Sequence, residues 1–166
     1  MTRGATWPVA AQARDAEGHY LLARATGRAA QAVGVRERIR FGGVVRDKAL
    51  AALAINPNHA GALHILGMWH AEILRLGGVQ RFVARQFLGG AVFSEASWDQ
   101  AQRLLERAVA AEPARIVHHV DLGVILKDRG DTAGARAQFD WIARAPAIEF
   151  NDAHFQQQAA TERRKM

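Results

Sequence analysis

Histidine, carboxylate and serine side chains carry whatever chemistry this chain has, because its 166 residues include seven histidines and no cysteine. The lack of cysteine excludes disulfides, thiolate metal sites and cysteine nucleophiles. A zinc site needs three or four converging ligands. His64 and His70 stand six apart, on different faces of a helix, and His118 and His119 are neighbours pointing about 100° apart. His19, His59 and His154 fall in separate stretches, so neither a metal nor a cofactor is expected. His119 lies inside a packing pattern and is expected to be a partly buried structural residue. Glu72 and Asp121 have no arranged partner, and Ser94 and Ser97 sit where a helix would start. These four are expected to meet solvent or cap helices, not to catalyse. Gly77–Gly78 and Gly89–Gly90 bracket a helical stretch and do not form a phosphate loop. An enzyme is not expected.

The elements that would position these groups follow from a spaced pattern. Ala101, Leu105 and Ala108 precede Pro113 by 12, 8 and 5 residues, and Val45, Ala49 and Ala52 precede Pro57 by the same distances. Leu63–Leu66–Gly67 and His119–Leu122–Gly123 form a second signature, with His19–Leu22–Ala23 as a weaker copy. Small and large residues at helical spacing let one helix lie close on another and let helix pairs stack. The fold class is therefore all-α, with helices over about 16–33, 36–55, 59–76, 79–87, 98–111, 115–129, 133–144 and 151–162. Asp15, Asn58, Ser97, Asp131 and Asn151 are the expected N-caps. Ser97-x-x-Gln100 has the form of a capping box. Gly42–Gly43 allows a kink. Trp69, Trp98 and Trp141 are expected to fill space between helices.

Net charge is +6, and residues 1–56 hold nine basic against four acidic groups. The excess gathers around Arg36, Arg38, Arg40, Arg46 and Lys48. Such a patch can steer an acidic partner or an anionic lipid surface. Nucleic acid is not expected, because the basic residues lack interleaved aromatics. Residues 1–11 carry no apolar core of about 7–15 residues, and no run reaches the roughly 20 a spanning helix needs. A cytoplasmic location is expected.

The stretches Ala60-Gly-Ala-Leu63-His-Ile-Leu66-Gly67 and Ile116-x2-His119-x2-Leu122-Gly123-x2-Leu126 resemble the tetratricopeptide repeat. Pro113 and Pro146 lie 33 residues apart, near that repeat's period. Residues 56–70, 79–90 and 94–98 together resemble the regulator of microtubule dynamics family, in the form of a bacterial relative with an Arg/Ala-rich composition. This resemblance covers about residues 15–150. It implies a tetratricopeptide-type solenoid of about three helical hairpins. The hairpins would span about 15–57, 58–113 and 115–147, the first two decorated, after an extension over 1–14. A polar capping helix over about 151–163 would close the stack, all of it within a single domain over 15–166. It also implies a non-enzymatic adaptor. The family's association with microtubules is not carried over.

In such a stack the first helix of each pair lines a concave groove. By the repeat pattern the groove residues would be Glu17, Tyr20, Arg24 and Arg28, then His64, Met68 and Glu72, then Val117, Val120, Val124 and Lys127. That groove, basic at one end and apolar at the other, suits a protein or peptide partner with an acidic end and apolar anchors. The insertion over 79–93, with Arg81 and Arg85 on an apolar-faced helix, has three readings. It packs on its own repeat, lies on an anionic membrane surface, or forms a contact between copies of the chain.

Overall fold

A computed structural model describes residues 15–88 and 95–166. Among these residues there are eight helices and no strands: α1 (Ala16–Ala30), α2 (Val35–Ile55), α3 (Ala60–Arg75), α4 (Gly78–Leu88), α5 (Trp98–Ala111), α6 (Ile116–Asp128), α7 (Thr132–Ile142) and α8 (Asp152–Arg164). The all-α reading holds. The expected ends hold to within a few residues, and the departures have local causes.

Helix α1 stops three residues early, at Ala30, whose free carbonyl accepts from Arg38 of the next helix at 3.2 Å. Helix α2 runs through Gly42–Gly43 without a break. Asn58 is not the cap of α3. The helix begins at Ala60, so His59 holds the cap position, while Asn58 lies one residue outside it and donates its N–H to the Asn56 side chain at 3.1 Å. His59 Nδ1 accepts from the Ala62 N–H at 3.3 Å. Ser97 caps α5 as its sequence indicates, accepting from Gln100 N–H at 3.4 Å. Gly89–Gly90 and Ser94 lie outside the described residues.

The α6–α7 connection is the tightest. Gly130 takes φ +85°, a backbone conformation open to glycine at little cost. Its N–H donates to Lys127 O, and Asp131 N–H donates to Leu126 O, both at 2.9 Å, which satisfies two carbonyls at the end of α6. Asp131 then caps α7 by accepting from Gly134 N–H at 2.8 Å. Ahead of α8, Asn151 makes no side-chain cap bond. The buried Asp152 carboxylate accepts instead from the Ile148 and Glu149 N–H groups at 2.9 and 2.7 Å and braces the preceding loop.

The helices pair in chain order. α1 packs on α2, α3 on α5 and α6 on α7, while α2 meets α3 and α5 meets α6. Helix α4 leans on α2, and α8 lies across α6 and α7. The close crossings are at glycine. A Cβ on Gly67 would stand 3.1 Å from Ala101 O and from Leu105 Cγ. One on Gly123 would stand 2.5 Å from Phe139 Cε1. The core divides into one cluster around Leu63, Leu66 and Leu104, and a larger one around Leu105, Ile116, Ile125, Phe139 and Ile142. Trp69 is buried, and Trp98 and Trp141 pack against the larger cluster. His119 is buried, as its place in the pattern implies. Its ring stacks on Trp141 at 3.7 Å, and its two nitrogens contact Gln138 Oε1 at 2.7 Å and Pro113 O at 2.9 Å. The first hairpin is less buried: Ala23 is the one buried residue of α1, and Leu22, expected on its packed face, is exposed.

Candidate functional site

Helices α1, α3 and α6, the first of each pair, approach one another in sequence: α1 contacts α3, and α3 contacts α6. The residues expected to line a groove sit on them in three different situations. Arg24 and Arg28 are exposed on α1, beside an exposed Leu21. Met68, Val117 and Val124 are half-buried, with Met68 and Val124 packed against the larger core cluster. The rest are engaged within the fold.

Glu17 Oε2 meets His59 Nε2 at 3.0 Å, which ties α1 to the cap of α3. Tyr20 lays its ring over Gly61, where a Cβ would come within 2.5 Å of Tyr20 Cζ, and tilts against the His59 ring at 4.8 Å. Glu72 pairs with Arg75 at 2.6 Å, and Arg75 reaches on to Asp128 at 2.6 Å, linking α3 to the end of α6. Lys127 pairs with Glu162, so α8 covers that end of the row. Val120 is 0% exposed and belongs to the core, which corrects its assignment to the groove. Helix α6 has α5, α7 and α8 around it and is apolar on nearly every side, so spacing alone does not single out its open face.

Between α3 and α6 lies a cluster that the spacing of histidines in the chain does not reveal. His64 Nδ1 stands 2.8 Å from His118 Nδ1. His64 Nε2 stands 3.1 Å from Asp121 Oδ2, and His118 Nε2 stands 3.4 Å from Glu112 Oε2. Arg115 joins Glu112 at 2.8 Å and Glu149 at 3.4 Å. Burial is the main force on His118, which is 2% exposed; together with the charges of His64 and Arg115 it holds the imidazole down at about 4, against an upward pull from Glu112. Burial pushes the Glu112 carboxyl up, but Arg115 and His118 outweigh it, and its pKa lies below the ordinary carboxylate value. His64 and His118 are 54 residues apart, in successive hairpins, and only their stacking brings them together.

Among the described residues no group of three or more His, Asp or Glu is arranged to hold a metal ion. Among them also, no helix is long and apolar enough to cross a membrane. A shallow cavity of about 370 Å³ opens between α7 and α8, lined by Phe139, Gln156 and Arg163 among others, and shares no residue with the row above. Helix α4 turns Val79 and Phe82 outward, 80% and 65% exposed, with Arg85 also exposed; the side chain of Arg81 lies outside the described residues.

No curated protein matches the chain. The family described as regulator of microtubule dynamics protein 1-3 has a model that matches residues 5–166, and the chain belongs to that family.

Proposed function

We propose that the chain is a non-enzymatic interaction scaffold of the tetratricopeptide type. Its hairpins over about 15–57, 58–113 and 115–147 form the stack, and α8 caps the far end. The observation that carries this reading is the chain-order pairing of helices, which leaves α1, α3 and α6 as one row. The partner is a protein or peptide seated along that row. At the α1 end it meets Leu21, Arg24 and Arg28, which suits an apolar anchor followed by an acidic group. Further along, Met68, Val117 and Val124 offer shallow apolar contacts. The family's printed name speaks of microtubule dynamics; the proposal for this chain extends to protein binding and no further.

Arg24→Ala combined with Arg28→Ala is expected to weaken the principal partner about tenfold, or roughly 1.4 kcal/mol, without changing the thermal melt. Both side chains are exposed, so their loss opens no cavity. Affinity capture with parent and variant checks this. Equal recovery of every partner by the two proteins would remove the α1 end from the binding surface.

Helix α4 favours a second reading, a peripheral contact with an anionic membrane surface. Val79 and Phe82 stand three apart on one exposed face, with Arg85 a further three along. An amphipathic helix of this kind buries its apolar side chains at the headgroup boundary while its cations meet anionic lipid. Co-sedimentation with vesicles containing anionic lipid, lost on Phe82→Ser, is the expected outcome. Protein that stays in the supernatant at low salt would end this reading and leave the first intact.

A further inference from the structure

We propose that His64 and His118 form a link between the second and third hairpins that holds one shared proton and has no room for a second. The inference concerns regulation of the row of helices proposed above as the binding face. Its test needs no partner, so the link and the binding face stand or fall separately.

The argument begins with hydrogen-bond accounting. A neutral imidazole has one N–H and one lone pair, and an imidazolium has two N–H groups. His64 Nε2 faces the Asp121 carboxylate at 3.1 Å, an ion-pair contact that favours a proton on that nitrogen. With His64 neutral, its Nδ1 is then a lone pair, which accepts from His118 Nδ1–H across 2.8 Å. That leaves His118 Nε2 as a lone pair facing a carboxylate oxygen of Glu112 at 3.4 Å, a buried nitrogen without a hydrogen bond. The neutral pair is therefore short of one proton.

Adding a single proton at His118 Nε2 completes the chain. Asp121 then accepts from His64 Nε2, His64 Nδ1 shares the bridging proton with His118 Nδ1, and His118 Nε2 donates to Glu112. All four ring nitrogens are satisfied, and one positive charge lies between two carboxylates. A second proton would have to enter the 2.8 Å gap between the two Nδ1 atoms, which already holds one. Two N–H groups cannot face each other at that distance, so a second proton parts the rings, and with them α3 and α6.

The surrounding charges point the same way. Facing the pair are Asp121 on α6, Glu112 at the end of α5 and Arg115 at the start of α6. Glu149 of the α7–α8 loop and Tyr20 of α1 both act on Arg115. Burial of His118 opposes any charge not matched by a hydrogen bond, and Arg115 opposes it too; the carboxylates offset this only in part, so the first proton enters in acid. Among the described residues the two carboxylates lie at the outer ends of the pair, and what excludes a second proton is the 2.8 Å gap between the rings.

Nitrogen-15 spectra of the histidine-labelled full chain between pH 8 and 3 test this. The expected result is a through-hydrogen-bond coupling between His64 Nδ1 and His118 Nδ1. The four ring nitrogens should also shift together in one step that takes up one proton, and the coupling should vanish when a second enters. Two complete and independent histidine titrations, with no coupling at any pH, would overturn the proposal. Glu112→Gln removes the acceptor at one end and is expected to move uptake of the first proton about one pH unit lower. If that variant disturbs the fold, Asp121→Asn removes the acceptor at the other end with the same expectation. Uptake that moves in neither would show that the carboxylates do not terminate the chain and would overturn it.

Discussion

Replacing Gly123 with leucine is expected to destabilise the protein by about 3 kcal/mol, the upper part of the usual range for overpacking a core. A Cβ there would stand 2.5 Å from Phe139 Cε1, 2.9 Å from Cζ and 3.1 Å from Cδ1, closer than carbon atoms approach without displacement. Phe139 is 1% exposed and sits in the larger core cluster, so its ring has nowhere to retreat without moving α7 away from α6. Gly67→Leu acts through a different neighbour. There the Cβ would meet the backbone oxygen of Ala101 and the Leu105 and Leu104 side chains at 3.1–3.3 Å. Alanine separates the two sites. It gains about 1 kcal/mol of helix propensity over glycine. At Gly67, where neighbours must yield only a few tenths of an ångström, this gain roughly cancels the crowding; at Gly123 it does not. Gly123→Leu is expected to lower the melting temperature by about 6–12 °C. Combining it with Phe139→Ala is expected to cost less than the sum of the two changes, since the smaller side chain vacates the contested volume. A Gly123→Leu melt that overlays the parent would place the α6–α7 crossing elsewhere.

Acid is expected to destabilise the fold in two stages, the first governed by histidine. The unfolded His118 imidazole titrates at 6.5 and the folded one at about 4. Between those values the unfolded chain binds a proton that the folded chain refuses, so stability falls as the pH drops through the window and levels off below about 4. At 1.36 kcal/mol per pH unit, the loss is about 2 kcal/mol at pH 5 and about 3 kcal/mol once the window is crossed. At 2% exposure, solvent screening does little to reduce this. His70, lowered first by burial and then by Arg46, adds to the fall in the same direction. The second stage involves carboxylates. Glu112 and Glu162 titrate below their unfolded value of 4.5 in the folded protein, so the stability they confer is present above 4.5 and is lost as the pH falls beneath it. Urea melts at pH 7 and pH 5 check the first stage. His118→Gln should narrow the gap between the two pH values by about 2 kcal/mol. A variant with the acid sensitivity of the parent would show that His118 is not what the acid acts on.

How much of this could be read from residues alone differs from element to element. Pro57, Pro113 and Pro146 mark where helices end because proline lacks the N–H that continuation needs. Ser97 and Asp131 declare themselves as caps because a short oxygen side chain there satisfies an orphan N–H. Asn58 misleads because the helix starts one residue later than its propensity suggests, with His59 accepting from Ala62 N–H in its place, and propensity does not arbitrate between two such neighbours. The exposure of the residues expected along α1, α3 and α6 was legible only in part. Arg24 and Arg28 lie in the open, while Val120 is in the core, and Lys127 is paired with Glu162 from a helix 35 residues away. Which face of α6 stays open depends on where α8 comes to rest.

The sequence by itself determined the local features of this protein: helices with their breaks and caps, and glycines at Gly67 and Gly123 where helices cross closely. Each depends on a residue and its near neighbours, within the reach of a single turn or hairpin. Only the tertiary structure decided which side chains separated by 42 to 54 residues would meet, as Glu17 meets His59 and His64 meets His118. The reason is geometric. The rotation of one hairpin on the next sets those distances, and a change of a few degrees in that rotation would separate the two imidazoles while leaving every helix and every cap as it is.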